Sequence, residues 1–303
     1  MMQRPDEYAG VTYYDFALIG NPVAHSLSPI MHNTVYRDLA EHDSRFQNWR
    51  YAAHMCEDEA SAVKQINKVR FGHYRGMNVT MPYKRLAMKK ADFVDSSADA
   101  AGGANVLVRQ GFDLYAYNTD GLGALGAIER IAGFSVKGRH VAVCGTGPTS
   151  IAIACAFANA QASDVTVFSR DADKAQSAVG RMRLSLNVGA TFWLRAAGYD
   201  EAPDIVPNMD VFVDATPRGM NEGDAPIVDP RLFHAGQVVF DTVYAHGESE
   251  LVAGARVRGA IASDGLEMLV EQAALSIEIW ARAMGIDVTV PRAVMRDAAE
   301  ADG

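Results

Sequence analysis

The sequence predicts an α/β protein built from two units, and three observations support this. Apolar runs rich in β-branched residues alternate with segments of helical periodicity along the 303-residue chain. These runs form two series, separated by the Gly-rich segment 121–138. The chain is also about twice as long as a typical domain of ~150 residues. Because strands that alternate with helices pair in parallel through right-handed crossovers, we expect two parallel sheets.

The first series contains four predicted strands and two predicted helices. The strands are the runs DFALIG, GMNVTM, ANVLVR and LYAYN, at residues 15–20, 76–81, 104–109 and 114–118. Helical periodicity occurs near residues 29–40 and 58–69. We expect these elements to form the first α/β unit, which ends near residue 120.

The second series contains five predicted strands and a long final helix. The strands are HVAVCG, DVTVFS, TFWLRA, DVFVDA and QVVFDT, at residues 140–145, 164–169, 191–196, 210–215 and 237–242. The helix is predicted over 266–283, where apolar residues cover most of its surface, so it should pack against a sheet. Periodicity does not decide which of the two sheets it covers.

Charge and cysteine content exclude several classes of protein. The chain has 28 Lys and Arg against 37 Asp and Glu, a formal net charge of -9, and no basic run longer than two residues. Neutralising phosphates needs a clustered positive face, so we do not expect a nucleic-acid partner. Cys56, Cys144 and Cys155 lack C-x-x-C spacing, which argues against a disulfide framework and against a structural metal site.

One segment has the length of a membrane span. Residues 141–163 contain no charged side chain, which is enough to cross a bilayer. However, Gly145, Gly147 and Pro148 interrupt the segment, which therefore predicts a strand, a tight turn and a buried helix. The N-terminal residues MMQRPDEYAG lack the apolar stretch of a signal peptide. We expect a cytoplasmic protein that does not associate with a membrane.

The motif VAVCGTGPTSIAIA, at residues 141–154, predicts a dinucleotide-binding unit of the doubly wound Rossmann type. Gly145 permits the tight turn, and Gly147 lets the backbone approach a pyrophosphate at the N-terminus of the helix. The third position of the fingerprint is Ser150 instead of Gly or Ala. The alternative is an ordinary turn between a strand and a helix.

The end of the next strand favours NADP over NAD. An NAD site usually has Asp or Glu there to bind the ribose 2′-hydroxyl, whereas the segment 165–174 has Ser169 followed by Arg170. A guanidinium matches a 2′-phosphate and can stack on adenine. Asp171 follows directly and could oppose the phosphate, so NAD stays possible. The alternative for Arg170 is a solvated side chain without a role.

The motif NPVAHSLSPIMHN, at residues 21–33, predicts an anion site. Ser26 and Ser28 precede Pro29, which suits the first turn of a helix, and both hydroxyls could reach one anion near free backbone N–H groups. The alternative is that Ser28 only caps the helix. The residues alone do not decide between these two interpretations.

The motif GMNVTMPYK, at residues 76–84, places polar residues at a strand end. Asn78 and Thr80 alternate with apolar residues and therefore share one face. Open α/β sheets bind ligands just beyond the carboxyl ends of their parallel strands. We therefore expect both side chains to face a ligand.

A lysine and an aspartate follow two of these strands. Lys84 ends the motif above, and Asp120 belongs to the motif YNTDG at residues 117–121. A crossover can bring the two to one cleft, where a Lys–Asp pair can pass a proton to or from a substrate oxygen. The alternative is a structural salt bridge, and the spacing alone favours that alternative over catalysis.

Taken together, these motifs resemble the shikimate dehydrogenase family. The resemblance rests on NPVAHSLSPIMHN, GMNVTMPYK, GGAN, YNTDG, DATPRGM and DGLEMLVEQAALSIEIW, in this order, and it covers nearly the whole chain. It implies a substrate-binding catalytic domain over 1–120 and 265–303, with an NADP-binding Rossmann domain over 121–264 inserted between. It also implies the reversible NADP-dependent reduction of 3-dehydroshikimate to shikimate, a small cyclohexene carboxylate.

The resemblance also implies a role for each matching residue. Lys84 and Asp120 resemble the proton-transfer pair, while Ser26 and Ser28 resemble the substrate carboxylate site, with Tyr244 beside it. Residues that resemble the ligands of the ring hydroxyls are Asn78, Thr80, Asn105, Asp120 and Gln272. Residues that match cofactor positions are Gly145, Thr146, Gly147, Ser169 and Arg170, with Gly265 and Met268 along the nicotinamide.

Some positions depart from the family pattern. Val106 stands where most relatives have Thr, Ser150 changes the glycine loop, and Asp214 and Arg218 replace the more usual Asn and an uncharged residue. These differences leave two alternatives open. The first is a quinate or quinate/shikimate dehydrogenase that uses NAD, and the second is a ligand-binding paralogue without catalytic activity. A monomer and a homodimer are both compatible with the sequence.

Overall fold

The computed structural model describes residues 15–186, 193–221, 223–244 and 247–301. Its strands form two sheets of six strands each. The first sheet has the order β2-β1-β3-β5-β6-β4 and consists of β1 (Phe16–Gly20), β2 (Tyr51–Met55), β3 (Gly76–Val79), β4 (Phe93–Val94), β5 (Val106–Gln110) and β6 (Asp113–Tyr117). The helices of this part are α1 (Ser28–His42), α2 (Glu59–Arg70), α3 (Lys84–Lys90) and α4 (Ser96–Ala101).

The prediction of a parallel sheet is wrong for one strand of the first sheet. Strand β5 runs antiparallel to both β3 and β6, whereas the other neighbouring pairs are parallel. Only Gly111 and Phe112 separate β5 from β6, and a parallel pair would need a crossover of about a dozen residues. Gly111 has φ +62°, the left-handed conformation that tight hairpins use. The start of β5 therefore lies at the same sheet edge as the ends of β3 and β6.

The second sheet is parallel throughout, as predicted. It has the order β12-β11-β10-β7-β8-β9 and consists of β7 (His140–Cys144), β8 (Asp164–Ser169), β9 (Trp193–Gly198), β10 (Val211–Asp214), β11 (Val238–Asp241) and β12 (Ile261–Ser263). The remaining helices are α5 (Asp120–Ala132), α6 (Pro148–Asn159), α7 (Ala172–Ser185), α8 (Ala202–Ile205), α9 (Glu250–Val257), α10 (Leu266–Ala283) and α11 (Arg292–Glu300). This is the strand order of dinucleotide-binding sheets, and it reverses between β7 and β10.

Most predicted elements agree with these bounds. The two predicted helices of the first series correspond to α1 and α2, and the uncharged segment forms β7, a turn and α6. Residues 191–192 of one predicted strand lie outside the described residues, as does the N-terminal decapeptide. Among the residues that the structure describes, no helix is long and apolar enough to cross a membrane. The short strands β2, β4 and β12 were not predicted.

Helix α10 packs on the first sheet, although it follows the last strand of the second. Its Trp280 is fully buried and stacks on Phe16, with ring centroids 4.5 Å apart. The indole Nε1 donates a hydrogen bond of 3.1 Å to the carbonyl of Leu107 in β5. A Cβ at Gly76 would lie under 3.0 Å from this ring, so β3 needs glycine there. Both ends of the described chain therefore contribute to one hydrophobic core.

Helix α5 connects the two sheets and lies very close to two other helices. A Cβ at Gly121 would lie under 3.0 Å from the carbonyl oxygen of Ala152 in α6. A Cβ at Gly123 would lie equally close to Gln272 in α10. Because real Cβ atoms essentially never come that close, both positions require glycine for packing. The Gly-rich segment between the two series is therefore mostly a packed helix.

Candidate active site

The two sheets face each other across a cavity of about 350 Å³. All residues predicted for catalysis or substrate binding line it, namely Ser26, Ser28, Asn78, Thr80, Lys84, Asn105, Asp120, Tyr244 and Gln272. Gly265 and Met268, predicted to line the nicotinamide, also lie on its wall. The carboxyl ends of the strands therefore meet at one cleft, where open α/β sheets bind their ligands.

Lys84 and Asp120 form a buried ion pair in this cavity. The Lys84 Nζ donates hydrogen bonds to Asp120 Oδ2 and, over 2.9 Å, to the hydroxyl of Thr149. The other carboxylate oxygen, Oδ1, accepts a bond of 2.8 Å from the Asn105 amide. The two charged side chains are only 14% and 6% exposed. Desolvating two charges is costly, and here that cost is offset by hydrogen bonds to both carboxylate oxygens.

Asp120 and Lys84 each begin a helix, but their charges have opposite effects on the stability of that helix. Asp120 begins α5, where a negative charge interacts favourably with the positive end of the helix dipole. Lys84 begins α3, where a positive charge is unfavourable. The position of Lys84 is therefore not explained by helix stability.

The amide side chains beside this pair are held in fixed orientations. Asn78 Oδ1 accepts a bond of 2.8 Å from the Tyr51 hydroxyl, and its Nδ2 donates a bond of 3.0 Å to Ser276 Oγ. Asn105 Oδ1 accepts a bond of 2.8 Å from the Thr119 amide. Tyr51, Thr119 and Ser276 were not predicted as site residues from the sequence. The spacing of Gln272 and Ser276, four residues apart on one helix, was the one available signal.

Three hydroxyl-bearing side chains, Ser26, Ser28 and Tyr244, line another part of the cavity. Helix α1 begins at Ser28, with Leu27 as N-cap and no side-chain cap, so the alternative that Ser28 only caps the helix is wrong. Burial raises the pKa of Tyr244, and a hydrogen bond with Ser26 opposes that shift. Burial also raises the pKa of Tyr51 well above its usual value, against a hydrogen bond with Ser28. Both phenols therefore stay neutral, but the single proton of Tyr51 is donated to Asn78, so of the two only Tyr244 is available to donate to an anion.

The buried His32 supports Tyr51 from behind. The two rings are stacked with centroids 3.9 Å apart, and Nδ1 of His32 is 3.0 Å from the Tyr36 hydroxyl. Burial lowers the pKa of His32 to about 3, so the imidazole is neutral at physiological pH. This stacking holds the Tyr51 ring in place, and with it the hydroxyl that donates to Asn78.

The glycine loop after β7 fits a dinucleotide pyrophosphate. Gly145 has φ +105°, and a Cβ there would lie under 3.0 Å from the Ser150 hydroxyl. That hydroxyl donates a bond of 3.0 Å to the carbonyl of Ala215, which explains how Ser is accommodated at the third fingerprint position. Gly147 is the N-cap of α6, and a Cβ there would meet no described atom within 4 Å. The space beside Gly147 is thus open at the N-terminus of α6, where the free N–H groups of a first helical turn can bind a phosphate.

An exposed arginine, Arg170, directly follows β8, where a 2′-phosphate would need a positive charge. Asp171 is the N-cap of α7, and its carboxylate accepts a bond of 3.1 Å from the backbone of Lys174. The Lys174 ammonium is 3.6 Å from the same carboxylate. Asp171 is thus engaged by its own helix, whereas Arg170 is exposed beside it and Ser169 Oγ accepts from the Asp171 amide. Asp171 is therefore less available to repel a 2′-phosphate, which was the argument from the sequence against NADP.

The remaining departures lie beside the cofactor loop and in the core. Burial raises the pKa of Asp214, at the end of β10, to about 7, with repulsion from Asp241 adding to the effect. Hydrogen bonds from Thr216 and the charge of Arg218 oppose this shift. The charge of Arg218 therefore acts on Asp214, although it is the smallest of these influences. Val106 is fully buried at the start of β5 and packs in the apolar core.

Comparisons with known proteins agree with this geometry. The family described as the shikimate dehydrogenase substrate binding domain matches residues 18–107. The chain is 34% identical over 291 residues to the shikimate dehydrogenase (NADP(+)) of Salinibacter ruber, covering 94% of this chain and 96% of that protein. It is 32% identical over 265 residues to the enzyme of the same description from Methanothermobacter thermautotrophicus, covering 87% and 89%.

A solved structure is similar over the whole length. It is the shikimate 5-dehydrogenase from Thermus thermophilus in complex with NADP(H) and shikimate. The TM-score is 0.81 at 27% sequence identity, and the similarity covers 96% of this chain and 100% of that chain. The α/β fold predicted from sequence, with a substrate-binding unit and a dinucleotide-binding unit, is confirmed.

The raised pKa of Asp214 predicts a pH dependence of stability. A carboxyl whose pKa is near 7 when folded and near 4 when unfolded keeps its proton longer in the folded state. Its contribution to stability is therefore complete below about pH 4 and is lost as pH rises through about 7. We expect Asp214→Asn to raise the melting temperature at pH 8 by a few degrees relative to wild type, and by less at pH 5.

The control is Asp173→Asn, which changes an exposed carboxylate on α7 and should give the same small difference at both pH values. An Asp214→Asn difference that does not change between pH 5 and pH 8 would contradict the prediction.

Proposed function

The chain belongs to the shikimate dehydrogenase family, and we propose that it catalyses the reversible NADP-dependent reduction of 3-dehydroshikimate to shikimate. The observation that carries this proposal is the buried Lys84–Asp120 pair, which lines one cavity together with Ser26, Ser28 and Tyr244. A proton-transfer pair at this place serves a hydroxyl-to-carbonyl conversion on a small ring acid.

We propose that the ring acid binds along the length of the cavity. Its carboxylate is placed at Ser26 and Ser28 near the first turn of α1, with Tyr244 donating from the other side. The ring hydroxyls are placed at the amides and hydroxyls of Asn78, Thr80, Asn105 and Gln272, together with Asp120. The support is that these donors and acceptors already have fixed orientations, which favours one pose of the ring.

The proposed chemical step assigns separate roles to the two charged residues. In the reducing direction, Lys84 donates a proton from Nζ to the oxygen at C3 of the ring, and in the oxidising direction it accepts that proton. Asp120 holds the ammonium in place and offsets its charge. NADP supplies the hydride chemistry at its nicotinamide when it is bound.

For the cofactor we propose the loop Gly145, Thr146 and Gly147 as the pyrophosphate site, with Ser169 and Arg170 at the 2′-phosphate. Gly265 and Met268 are proposed to contact the nicotinamide, since both line the cavity. A Cβ at Gly265 would lie under 3.0 Å from the Thr242 carbonyl, so close packing on the backbone after β11 requires glycine there.

We also propose the domain division 1–120 with 265–303, and 121–264. It is supported by the core that joins α10 and α11 to the first sheet. A cytoplasmic location is supported by the three buried free thiols, and a monomer or a homodimer is proposed for the assembly. Cell fractionation and sedimentation analysis test these two proposals directly.

A panel of shikimate and quinate with NADP and NAD tests the proposed function. We expect the highest kcat/KM with shikimate and NADP. A higher value with quinate and NAD would indicate a quinate dehydrogenase, and binding without turnover for every pair would indicate a ligand-binding paralogue.

Lys84→Ala should lower kcat strongly and change substrate affinity less, because the proposed role of Lys84 is proton transfer. General acid–base groups typically contribute on the order of 10²–10⁴-fold. The matched control is Lys89→Ala, which removes an exposed lysine from the same helix. Thermal melting checks that the unpaired Asp120 has not unfolded the protein. Turnover within about threefold of wild type would contradict the assignment.

Replacing Ser26 and Ser28 together by Ala should raise the KM for shikimate far more than the KM for NADP. Each serine is proposed to donate one hydrogen bond to a carboxylate, and bonds to charged groups are worth roughly 1.5–3 kcal/mol. Shikimate methyl ester, which has no charge at this end, serves as the control substrate, and its KM should change little in the double variant. Equal losses for the acid and the ester would exclude the proposed carboxylate site.

Arg170→Ala should weaken the binding of NADP by roughly 1.5–3 kcal/mol, or about 10–150-fold, because the guanidinium is proposed to bind the 2′-phosphate. NAD lacks that phosphate, so its binding affinity should fall much less. The measurement is the ratio of kcat/KM for NADP over NAD in both proteins, and Arg181→Ala, exposed on α7, is the control. A wild-type ratio below one, or a ratio that Arg170→Ala leaves unchanged, means that NADP selection does not depend on Arg170.

A further inference from the structure

The hydroxyl of Thr149 closes a triangle with the two charged residues. Its Oγ1 accepts a hydrogen bond of 2.9 Å from Lys84 Nζ and donates one of 2.9 Å to Asp120 Oδ2. A hydroxyl has one proton, and here that proton is directed to the carboxylate while a lone pair faces the ammonium. Lys84, Asp120 and Thr149 thus hold one another in a single arrangement.

Thr149 is not explained by the stability of its own helix. It is the second residue of α6, whose N-cap is Gly147 and whose N-terminus has no side-chain cap. Threonine hydroxyls stabilise helices mainly from the N-cap position. Both hydrogen bonds of this hydroxyl instead run to residues far away in the chain.

The start of α6 is fixed relative to the ion pair by close packing. A Cβ at Gly103 would lie 3.0 Å from the Pro148 ring and 3.2 Å from the backbone of Lys84. Gly121, next to Asp120, is in close contact with Ala152 one turn further along α6. Thr149 therefore cannot shift away from Lys84 without disturbing the backbone around it.

We propose that Thr149 is a positioning residue for the proton transfer, an inference that rests on the proposed function of Lys84. An ammonium has three N–H donors, and two of them are occupied by Asp120 and Thr149. The third is then directed into the cavity, where the substrate oxygen binds. Lysine has a long flexible stem, so a second anchor keeps Nζ in the reactive orientation.

Three variants distinguish the effect of the Thr149 hydroxyl from the effect of the shape of the side chain. Thr149→Val keeps the branched shape without the hydroxyl, Thr149→Ser keeps the hydroxyl without the methyl group, and Thr149→Ala lacks both. We expect kcat for shikimate oxidation to fall about tenfold or more in Thr149→Val and Thr149→Ala, since hydrogen bonds to charged groups are strong. Thr149→Ser should keep most of the rate, and the KM for shikimate should stay within about threefold in all three variants. A kcat of Thr149→Val equal to that of wild type would overturn the proposal.

Two further measurements exclude a role in cofactor binding or in folding. NADPH affinity, measured by fluorescence titration without substrate, should change by less than about threefold in Thr149→Val. A loss of NADPH affinity as large as the loss of kcat would overturn the proposal. In a Lys84→Ala background, Thr149→Val should lower the residual kcat little further, because the hydroxyl acts through Lys84. Equal losses in both backgrounds would also overturn it.

The failure of this inference can be distinguished from that of the proposed function. If Lys84→Ala keeps its turnover, the proposed proton-transfer pair itself is wrong. If Lys84→Ala loses turnover while Thr149→Val keeps it, the pair acts without help from Thr149 and only this inference fails.

Discussion

The arrangement of the site depends on how closely α5 approaches its two neighbouring helices. At Gly121 and Gly123 even a methyl group would collide with α6 and with α10. Asp120 begins α5, and Gln272 belongs to the face of α10 that Gly123 contacts. Their polar groups reach one cavity only because the backbones are nearly in contact. A wider spacing of α5 and α6 would separate the Asp120 carboxylate from the Thr149 hydroxyl by more than a hydrogen bond can span.

Two features near this contact reduce the stability of the protein. A cation begins α3, against the helix dipole, and a pair of charges is withdrawn from water. The side chains that would otherwise rotate are fixed by a second layer of partners, as Tyr51 and Ser276 fix Asn78. This layer explains why the amides keep one orientation without a ligand. Such preorganisation is what a site for one particular ring acid requires.

Sequence periodicity predicted the second sheet well, because its buried parallel strands are continuous apolar runs. It failed at β5, where Gly111 and Phe112 leave room only for a hairpin, although that spacing was visible in the sequence. The sequence also indicated which residue types line the cavity, since they follow strand ends. Thr149 could not be found in this way. Its importance depends on contacts between helices of the two units, and no local pattern encodes the distance between two helices.

Trp280 has a consequence for the order in which the molecule can form. Its ring completes a core that begins with Phe16, so the first sheet lacks part of its interior until α10 has been synthesised. The second sheet and its helices lie between these two segments and can pack as the chain is synthesised. The nucleotide-binding unit is therefore free to fold while its neighbour is still open. The cavity, which needs α10 for one wall, is assembled last, and a chain that ends prematurely has no complete site with which to bind a ligand.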